Sequence, residues 1–359
     1  YLKCRYPISS FSLSRKRDID DAKNRYQPQH PRNHNLYFPE PNLLIPMQLS
    51  VGDMRIGYPC INRRLDCTSA KKFRLASFND ERFFATVSSN LSCFRQILAW
   101  NVTQDILFFR ISSDIIPFAS HPVCRAPWQE HFSEELGRIG HSIRDEGIRI
   151  SMHPDQFIIL NSPDERIVSR SVDELAYHAT LLDLMGLGTQ AKIQLHVGGH
   201  YGDSQESIAR FVRVYDTLDT AIRRHLVIEN DETRFSATDC LEISEQTGIP
   251  VLLDVFHHAC YNNGEETGDM LDATGRTWGA DDGIPMVDYS SQHPAKRPGG
   301  HAEHIDLSDF RQFLELSQPF DRDIMLEIKD KETSALAAIA LLQKDPRFER
   351  AIGKRVRSG

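Results

Sequence analysis

Eight short apolar runs that alternate with stretches of helical periodicity constrain the fold of this chain more than any other feature. They predict strands at residues 54–60, 105–112, 148–154, 191–198, 226–231, 249–257, 284–290 and 323–329. Helical spacing of apolar residues predicts helices at 78–100, 129–145, 165–185, 204–224, 308–316 and 333–343, the fourth of them capped by Ser204. Strands that alternate with helices in this way are typical of a (β/α)8 TIM barrel, with a doubly wound sheet as the structural alternative.

The two ends of the chain fall outside this pattern. Residues 1–50 lack periodicity and contain a basic group at Arg15, Lys16 and Arg17, without the apolar run of a secretory signal. We therefore predict an irregular N-terminal extension over 1–50, a single barrel domain over 51–345 and a C-terminal tail over 346–359.

The composition argues against several classes of protein. With 42 Lys and Arg against 50 Asp and Glu, the net charge of −8 disfavours a partner bound by bulk positive charge. A local basic patch or bound metal ions can still attract nucleic acid. No apolar stretch approaches the roughly 18 residues of a transmembrane span. The seven cysteines form no CxxC pair, which argues against a disulfide framework and a cysteine zinc site and favours a reducing compartment.

A TIM barrel carries its chemistry at the carboxyl ends of its strands, and the predicted strands end in histidines and carboxylates. These are His121, His153, His196, Glu229, Asp231, Asp254, His257, His258, Asp288 and Glu327, with His301 and His304 between the last two strands. A single histidine at a strand end is more often a hydrogen-bonded core residue than a ligand. Burying so many carboxylates and imidazoles together without a cation would be costly. The set therefore predicts a multinuclear Zn²⁺ or Mn²⁺ site, with no thiolate placed to compete.

Five sequence motifs resemble those of UV damage endonucleases. They are Met54–Cys60, Pro117–Pro122, Ser151–Pro154, Asp254–His258 and Lys296–His301, within a resemblance that covers residues 54–332. It implies a TIM barrel related to the endonuclease IV type of abasic endonuclease, with two or three divalent ions, commonly Mn²⁺, and Zn²⁺ or Mg²⁺ as alternatives. It also implies that double-stranded DNA is nicked immediately 5′ of cyclobutane dimers and pyrimidine–pyrimidone photoproducts, and at some abasic sites.

The resemblance assigns the metal ligands residue by residue. They would be His121, His153, His196, Glu229, Asp254, His257, His301 and Glu327, with Glu229 bridging two ions. Two positions depart from the family, because Asp288 replaces a histidine and Met286 replaces a lysine that some members carboxylate. Asp288 is still expected to be a ligand, one that favours Mn²⁺ over Zn²⁺, whereas Met286 cannot be carboxylated. Asp231, His258 and His304 are predicted either to orient ligands or only to form strand-end hydrogen bonds.

The expected reaction is in-line attack of metal-activated water on the phosphodiester, with Glu229 holding two ions roughly 3.5–4 Å apart. Lys329 lies two residues after Glu327, so on a strand it would point inward and neutralise phosphate charge; the alternative is that it pairs with a carboxylate. Lys296 and Arg297 form a modest basic patch for phosphates, unless they are only solvated charges.

Recognition of damage is expected from Gln156 and Phe157, which closely follow His153. In the family, a Gln–aromatic pair at this place enters the duplex where the damaged nucleotides leave the stack. A polar tip beside a flat ring suits that void; the alternative is that Phe157 begins a buried apolar run. Tyr58 and Asn62 match family residues that line the lesion pocket, although Gly-Tyr-Pro is also an ordinary strand-end turn.

Two hypotheses from other classes remain. A sugar isomerase or epimerase of the xylose-isomerase type uses similar residues at its strand ends, but the additional His121, His153, His257 and His301 argue against it. A non-catalytic DNA-binding relic would be expected to have lost ligands. The nuclease hypothesis implies a monomer without a membrane partner. Its expected location is the cytoplasm and nucleoid of a prokaryote, or the nucleus or mitochondrion of a eukaryote.

Overall fold

The computed structural model describes residues 54–350, in which eight parallel strands close into a barrel. The strands are β1 (Ile56–Pro59), β2 (Phe108–Ile111), β3 (Arg149–Met152), β4 (Lys192–His196), β5 (Leu226–Glu229), β6 (Val251–Asp254), β7 (Met286–Tyr289) and β8 (Asp323–Leu326). They pair in chain order, and β8 closes the barrel with Ile324 opposite Ile56. Every strand lies inside a predicted run, so the TIM-barrel prediction is confirmed and the doubly wound sheet is excluded. The predicted extension over residues 1–50 lies outside the described residues.

Ten α-helices accompany the strands within residues 54–350. They are α1 (Asp80–Thr103), α2 (Trp128–Asp145), α3 (Glu165–Leu184), α4 (Ser204–Thr217), α5 (Thr220–Arg223), α6 (Ala237–Thr247), α7 (Val255–Cys260), α8 (Thr267–Gly275), α9 (Leu307–Leu316) and α10 (Glu332–Leu342). The predicted helix at 204–224 is divided into α4 and α5. Asp203 caps α4 instead of Ser204, by accepting a hydrogen bond from the Glu206 amide at 3.1 Å. No helix of this part of the chain is long and apolar enough to cross a membrane.

The two-residue period of the strands builds the barrel in layers. One apolar layer consists of Phe108, Val227, Leu252, Met286 and Met325. Two residues further along the same strands come Arg110, Glu229, Asp254, Asp288 and Glu327. Each of these strands therefore places an apolar side chain in one layer and a polar side chain in the next, toward its carboxyl end.

Ion pairs close the opposite end of the barrel. The buried carboxylate of Asp323 lies 3.4 Å from the Arg55 guanidinium and 3.3 Å from that of Arg149. Nearby, Lys192 Nζ lies 2.5 Å from Asp282 Oδ1. The two ends of the barrel thus differ, because ion pairs seal one of them and a cluster of imidazoles and carboxylates occupies the other.

The predicted boundary at residue 345 is wrong, because the residues that follow pair with the start of the barrel. The Met54 amide donates to the Arg347 carbonyl at 2.7 Å, and the Glu349 amide donates to the Met54 carbonyl at 2.8 Å. Phe348 between them is buried. These residues belong to the barrel and not to a separate tail.

One disulfide joins Cys67, in the loop after β1, to Cys93 in α1. The cysteine spacing argued against a disulfide framework and gave no indication of this pair. Cys60, Cys124, Cys240 and Cys260 are free thiols. The two bridged cysteines are 26 residues apart, so no short-spacing motif reveals them.

Candidate metal centre

Glu229, the last residue of β5, lies at the centre of the polar layer and is only 1% exposed. His153 Nε2 lies 3.3 Å and His196 Nε2 4.0 Å from Glu229 Oε2, and His257 Nδ1 lies 3.6 Å from Oε1. Gln194 also donates a hydrogen bond to Oε2 at 2.5 Å. A single buried carboxylate is therefore surrounded by imidazoles from three different parts of the barrel.

A helix cap brings His257 to this carboxylate. Asp254 ends β6 and is the N-cap of α7, because its Oδ1 accepts a hydrogen bond from the His257 amide at 2.7 Å. The same turn leaves His257 Nδ1 3.3 Å from Asp254 Oδ2. Residues 255–257, predicted as the end of a strand, are therefore helical, and this turn groups two predicted ligands.

Burial and mutual contact shift the pKa values of these groups. Burial raises the pKa of Asp254 to about 7, although His257 acts in the opposite direction. Burial alone would lower the pKa of His257, but the carboxylates of Asp254 and Glu229 raise it to about 11. Burial also opposes ionisation of Glu229, but His196, His153 and His257 outweigh it and hold the pKa of that carboxyl well below its ordinary value. The cluster therefore favours positive charge beside its carboxylates.

Arg110, within β2, is a site residue that an analysis of strand ends misses. Its Nη2 lies 2.8 and 2.6 Å from the two carboxylate oxygens of Asp288, and its Nη1 bonds to Glu327. Gln194 donates another hydrogen bond to Asp288 at 2.6 Å. Burial would lower the pKa of Arg110, but Asp288 and Glu327 raise it above its ordinary value. The charge inside the otherwise apolar run 106–111 is the signal that could have identified this residue.

The ligand-type atoms form three groups, each with its atoms within 4.8 Å of one another. The groups are His153–His196–Glu229, Glu229–Asp254–His257 and Asp254–Asp288–Glu327. The first two share Glu229 and offer the nitrogen and oxygen donors that Mn²⁺ and Zn²⁺ accept. Two of their buried atoms, His196 Nδ1 and Asp254 Oδ2, lack a hydrogen-bond partner among the described residues. The residues of the first two groups fit two cations. In the third group Arg110 already neutralises Asp288, so Asp288 fits poorly as a metal ligand.

Two other predicted ligands lie outside these groups. His301 Nδ1 is 2.9 Å from the Glu327 carbonyl oxygen, and its Nε2 is 4.0 Å from the carboxylate of the same residue. His301 therefore borders the third group. His121 is exposed, and its Nδ1 accepts a hydrogen bond from the Val123 amide at 3.0 Å. Neither histidine belongs to a three-atom group within residues 54–350, so a ligand role for each stays a prediction.

The three residues predicted as orienters form local contacts. Asp231 accepts hydrogen bonds from the backbone amides of residues 233–235. His258 Nε2 lies 3.1 Å from a backbone carbonyl oxygen of the following loop. His304 Nδ1 lies 2.8 Å from Asp330 Oδ2. None of these hydrogen bonds reaches a predicted ligand, which favours the alternative of simple loop hydrogen bonding.

Gln156 and Phe157 lie on the loop after β3, and both side chains are exposed. Phe157 is 70% exposed, so the alternative that it begins a buried run is wrong. Gln156 lines a cavity of about 500 Å³ together with His196 of the ligand cluster. Both side chains are thus accessible to a large ligand beside this cluster.

The basic residues lie on the rim, outside the cluster. Lys296 and Arg297 are exposed in the loop after β7. Lys329 lies beyond the end of β8, with its Nζ 2.6 Å from Glu303 Oε1. The prediction that Lys329 points inward is therefore wrong. The structure shows the alternative, in which Lys329 pairs with a carboxylate. Contact with Glu303 raises the pKa of Lys329.

Tyr58 and Asn62 are buried and bonded to each other. The Tyr58 hydroxyl donates to Asn101 Oδ1 at 2.7 Å and accepts from Asn62 Nδ2 at 2.8 Å. Tyr58 is fully buried and Asn62 is 2% exposed. In this arrangement both residues pack the barrel wall and offer no surface to DNA, so the predicted lesion contact does not fit their burial.

Comparison with known proteins identifies the family. The sequence model of the family described as UV-endonuclease UvdE matches residues 54–355. A UV DNA damage endonuclease of Clostridium perfringens is 36% identical over 293 residues, which are 81% of this chain and 71% of that protein. Another, of Bacillus thuringiensis, is 31% identical over 80% of this chain and 93% of its own length. The crystal structure of SacUVDE has a TM-score of 0.78 and 47% identity, over 81% of this chain and 98% of that one. With this match across its whole described barrel, the chain belongs to the UV-endonuclease UvdE family.

Proposed function

We propose that this chain is a metal-dependent endonuclease that incises DNA at UV lesions. The observation that carries the proposal is the position of Glu229, whose buried carboxylate is shared by two ligand groups. A shared carboxylate is what a site for two neighbouring cations requires. The relatives named above, which act on UV-damaged DNA, support the same substrate class.

Divalent ions bound by the two groups would lower the pKa of bound water and polarise the scissile phosphate. The chain itself orients the groups that hold them. His153 Nδ1 lies 2.8 Å from the Pro154 carbonyl oxygen, and a proton donated there leaves Nε2 directed at Glu229. Gln194 fixes Glu229 Oε2 by its hydrogen bond. Arg110 neutralises the carboxylates of Asp288 and Glu327, so two ions would balance the charge of the remaining carboxylates of the cluster.

The proposed substrate is double-stranded DNA that contains a cyclobutane dimer or a pyrimidine–pyrimidone photoproduct, cut immediately 5′ of the lesion. Abasic sites are proposed as a further substrate. The exposed Phe157 ring and the Gln156 amide suit the void left by nucleotides that leave the stack. Lys296 and Arg297, both exposed, are proposed to hold backbone phosphates.

Mn²⁺ is the metal that we propose, with Zn²⁺ and Mg²⁺ as alternatives to be compared with it. The mixed imidazole and carboxylate donors admit Mn²⁺ and Zn²⁺, and they suit the harder Mg²⁺ less well. We also propose that the protein acts as a monomer, in the compartment that holds the DNA. The exposed Phe157 ring argues against a sugar isomerase or epimerase, because such a ring gives no advantage with a small polar substrate.

The proposal is tested with purified protein, supercoiled plasmid and each of the three ions in turn. Irradiated plasmid should be nicked, unirradiated plasmid should stay intact, and a chelator should abolish nicking. A labelled duplex with one thymine dimer then maps the cut, which is expected immediately 5′ of the dimer. Failure to nick irradiated plasmid with any of the ions, or equal nicking of both plasmids, would contradict the proposal.

A further inference from the structure

The amino end of the barrel, opposite the ligand cluster, contains a pocket of about 470 Å³. It lies between the turn after α2, the turn before β4 and the segment before β7. Among the described residues, its lining includes three arginines and one carboxylate, namely Arg55, Arg144, Arg149 and Asp281. On a chain with a net charge of −8, this pocket is a local concentration of positive charge.

Arg149 is the buried cation of this lining, with a side chain that is 4% exposed. Its Nη1 lies 3.3 Å from Asp323 Oδ2, and its Nη2 donates to the Asp282 carbonyl at 2.8 Å. Its Nε is buried and has no hydrogen-bond partner among residues 54–350. A bound ion is one of the reasons for which native proteins retain such an atom.

The charges at this end of the barrel favour a further anion. Asp323 is shared, because the Arg55 guanidinium lies 3.4 Å from its Oδ1. Burial raises the pKa of Asp323, although both arginines oppose this shift. Burial lowers the pKa of Arg149 despite its contact with Asp323, and the charge of Arg55 lowers it further. Two guanidinium groups thus repel each other across one carboxylate, and an anion close to both would relieve that repulsion.

Arg55 and Arg144 bring the positive charge to the open side of the pocket. The Arg55 side chain is 21% exposed, and its Nε donates to the Gly147 carbonyl at 3.1 Å. Arg144 is exposed, and its Nη1 donates to the carbonyls of Met185 and Gly186, both at 2.8 Å. These bonds fix both guanidinium groups to the backbone. In Arg144 they involve Nη1, so the remaining N–H groups of the planar fork can face a ligand.

The rest of the lining suits a small organic molecule. Thr189 and Gln190 contribute polar side chains, and Ile143 and Leu187 contribute apolar ones. The volume lies within the range of roughly 300–1,000 Å³ that is usual for small-molecule sites. Guanidinium groups bind phosphate oxygens in pairs, with a geometry that a lysine cannot reproduce. The exposed carboxylate of Asp281 disfavours an anion beside it, so a ligand would direct its phosphate to the arginines and a hydroxyl group to Asp281.

We propose that this pocket binds a small molecule that carries a phosphate group, with the phosphate held by Arg55 and Arg144 in front of Arg149. Two sources share this chemistry, free phosphate and a phosphate monoester such as a sugar phosphate. The site needs no metal ion and lies at the opposite end of the barrel from the ligand cluster, so it is independent of the proposed function. A ligand bound there stabilises the folded chain by mass action.

The test is titration calorimetry of the full chain with ribose 5-phosphate, inorganic phosphate and ribose, at constant ionic strength. Chelator is present, so that no phosphate binds through metal ions. Both phosphates should bind and ribose should not. Tighter binding of ribose 5-phosphate identifies a monoester as the ligand, and tighter binding of inorganic phosphate identifies the free ion. The melting temperature should rise with the concentration of whichever phosphate binds.

The first variant removes a charge from the pocket. Arg144→Gln should weaken phosphate binding by about 10- to 100-fold, because it loses hydrogen bonds from a charged donor. Arg138→Gln is the matched control, since Arg138 is an exposed arginine of the same helix that pairs with Glu134 and does not line the pocket. It should bind phosphate as the wild type does.

A second pair of variants adds a charge and leaves every arginine in place. Gly188 lines the pocket, its φ lies outside the left-handed region, and a Cβ added to it would meet no atom within 4 Å. Gly188→Glu places a carboxylate where the phosphate should bind, and like charges should weaken binding by about tenfold or more. Gly188→Gln has the same size without the charge and should keep the affinity of the wild type.

Three results would overturn the proposal. They are a wild type that binds neither phosphate, equal affinities of Gly188→Glu and Gly188→Gln, and phosphate binding that is unchanged in Arg144→Gln. Nicking of irradiated plasmid by Gly188→Glu should equal that of the wild type, because residue 188 precedes β4 at the other end of the barrel. The calorimetry therefore judges this site, and the plasmid assay judges the proposed function separately.

Discussion

Arg110 on β2 and Asp288 on β7 meet inside the barrel, where Arg110 Nη2 lies 2.8 and 2.6 Å from the two oxygens of the Asp288 carboxylate. These strands are not neighbours in the sheet, so the pair spans the barrel interior. Both side chains are buried, at 4% and 0% exposure, and each offsets the desolvation of the other. The guanidinium therefore gives this end of the cluster a permanent positive charge, which elsewhere would have to come from a metal ion.

Removing that charge should destabilise the barrel. Arg110→Met leaves the buried carboxylate of Asp288 and the partly exposed carboxylate of Glu327 without their cation, and breaking a buried pair in this way costs about 3–5 kcal/mol. Unfolding by urea in the presence of chelator should show a loss of this size. The double variant Arg110→Met/Asp288→Asn should recover part of it, since one of the stranded charges is gone. Additive effects of the two substitutions would show that the pair is not coupled.

The strands and most helices could be predicted because their apolar periods are local properties of the chain. The exceptions have local causes too. The apolar residues Val255 and Phe256 continue the run of β6, but the Asp254 side chain caps α7 and turns the chain into a helix. The predicted strand 249–257 is therefore too long, and α6 and α8 were not predicted.

The candidate site could be predicted only where its residues end strands. His196, Glu229 and Asp254 end β4, β5 and β6, and they converge as expected. Arg110 and Gln194 lie within strands and reach the site across the barrel. Only Arg110 leaves a local signal, because its charge interrupts an apolar run. Lys329 was predicted from the alternation of side chains along a strand, but β8 ends before residue 329. The direction of its side chain is instead set by a contact with Glu303, which is distant in sequence.

Glu229→Gln should abolish most activity while preserving the fold. The amide cannot serve as a bridging anion, so both ligand groups lose their shared charge, whereas the strand packing around residue 229 is unchanged. Nicking of irradiated plasmid should fall by several orders of magnitude, and bound metal per chain should fall with it. The control is Glu315→Gln, which changes an exposed carboxylate of α9 and should keep both values. Wild-type nicking by Glu229→Gln would refute the metal centre.

Phe157→Ala should affect recognition and not metal binding. Loss of one stacking contact is worth roughly 1–3 kcal/mol, so affinity for a dimer duplex should fall by about 5- to 150-fold. Bound metal per chain should be unchanged, because the ring is exposed and belongs to none of the ligand groups. The loss should be smaller on a substrate already unpaired around the lesion, where extrusion is easy. Equal losses on paired and unpaired substrates would exclude the insertion role.

Reduction of the Cys67–Cys93 disulfide should lower stability. The bond closes a loop with a sequence separation of 26 residues, for which the chain-entropy relation gives about 3–4 kcal/mol. Denaturant unfolding of the wild type with and without reductant measures the difference. In Cys67→Ser the reductant should have no further effect, and a reductant effect of the same size in that variant would point to another thiol.

His178 in α3 should make the fold sensitive to mild acid. Its Nδ1 lies 2.7 Å from the Glu174 carbonyl oxygen and its Nε2 lies 2.9 Å from Ser113 Oγ, and burial lowers its pKa to about 4. In the unfolded chain the imidazole titrates near its ordinary pKa of about 6.5. Below that pH the unfolded state binds the additional proton, so stability falls as the pH drops from 6.5 toward 4.

His178→Gln removes this proton and so should flatten the pH dependence. The wild type should lose about 1.5 kcal/mol more than the variant between pH 6.5 and 5, because the slope rises from about half of 1.4 kcal/mol per pH unit at the unfolded pKa toward that full value below it. Urea unfolding at both pH values gives the difference, which is independent of any packing loss that the variant suffers at every pH. His141→Gln, at an exposed position of α2, is the control and should follow the wild type. A parallel pH dependence of His178→Gln and the wild type would show that His178 is protonated within the folded barrel.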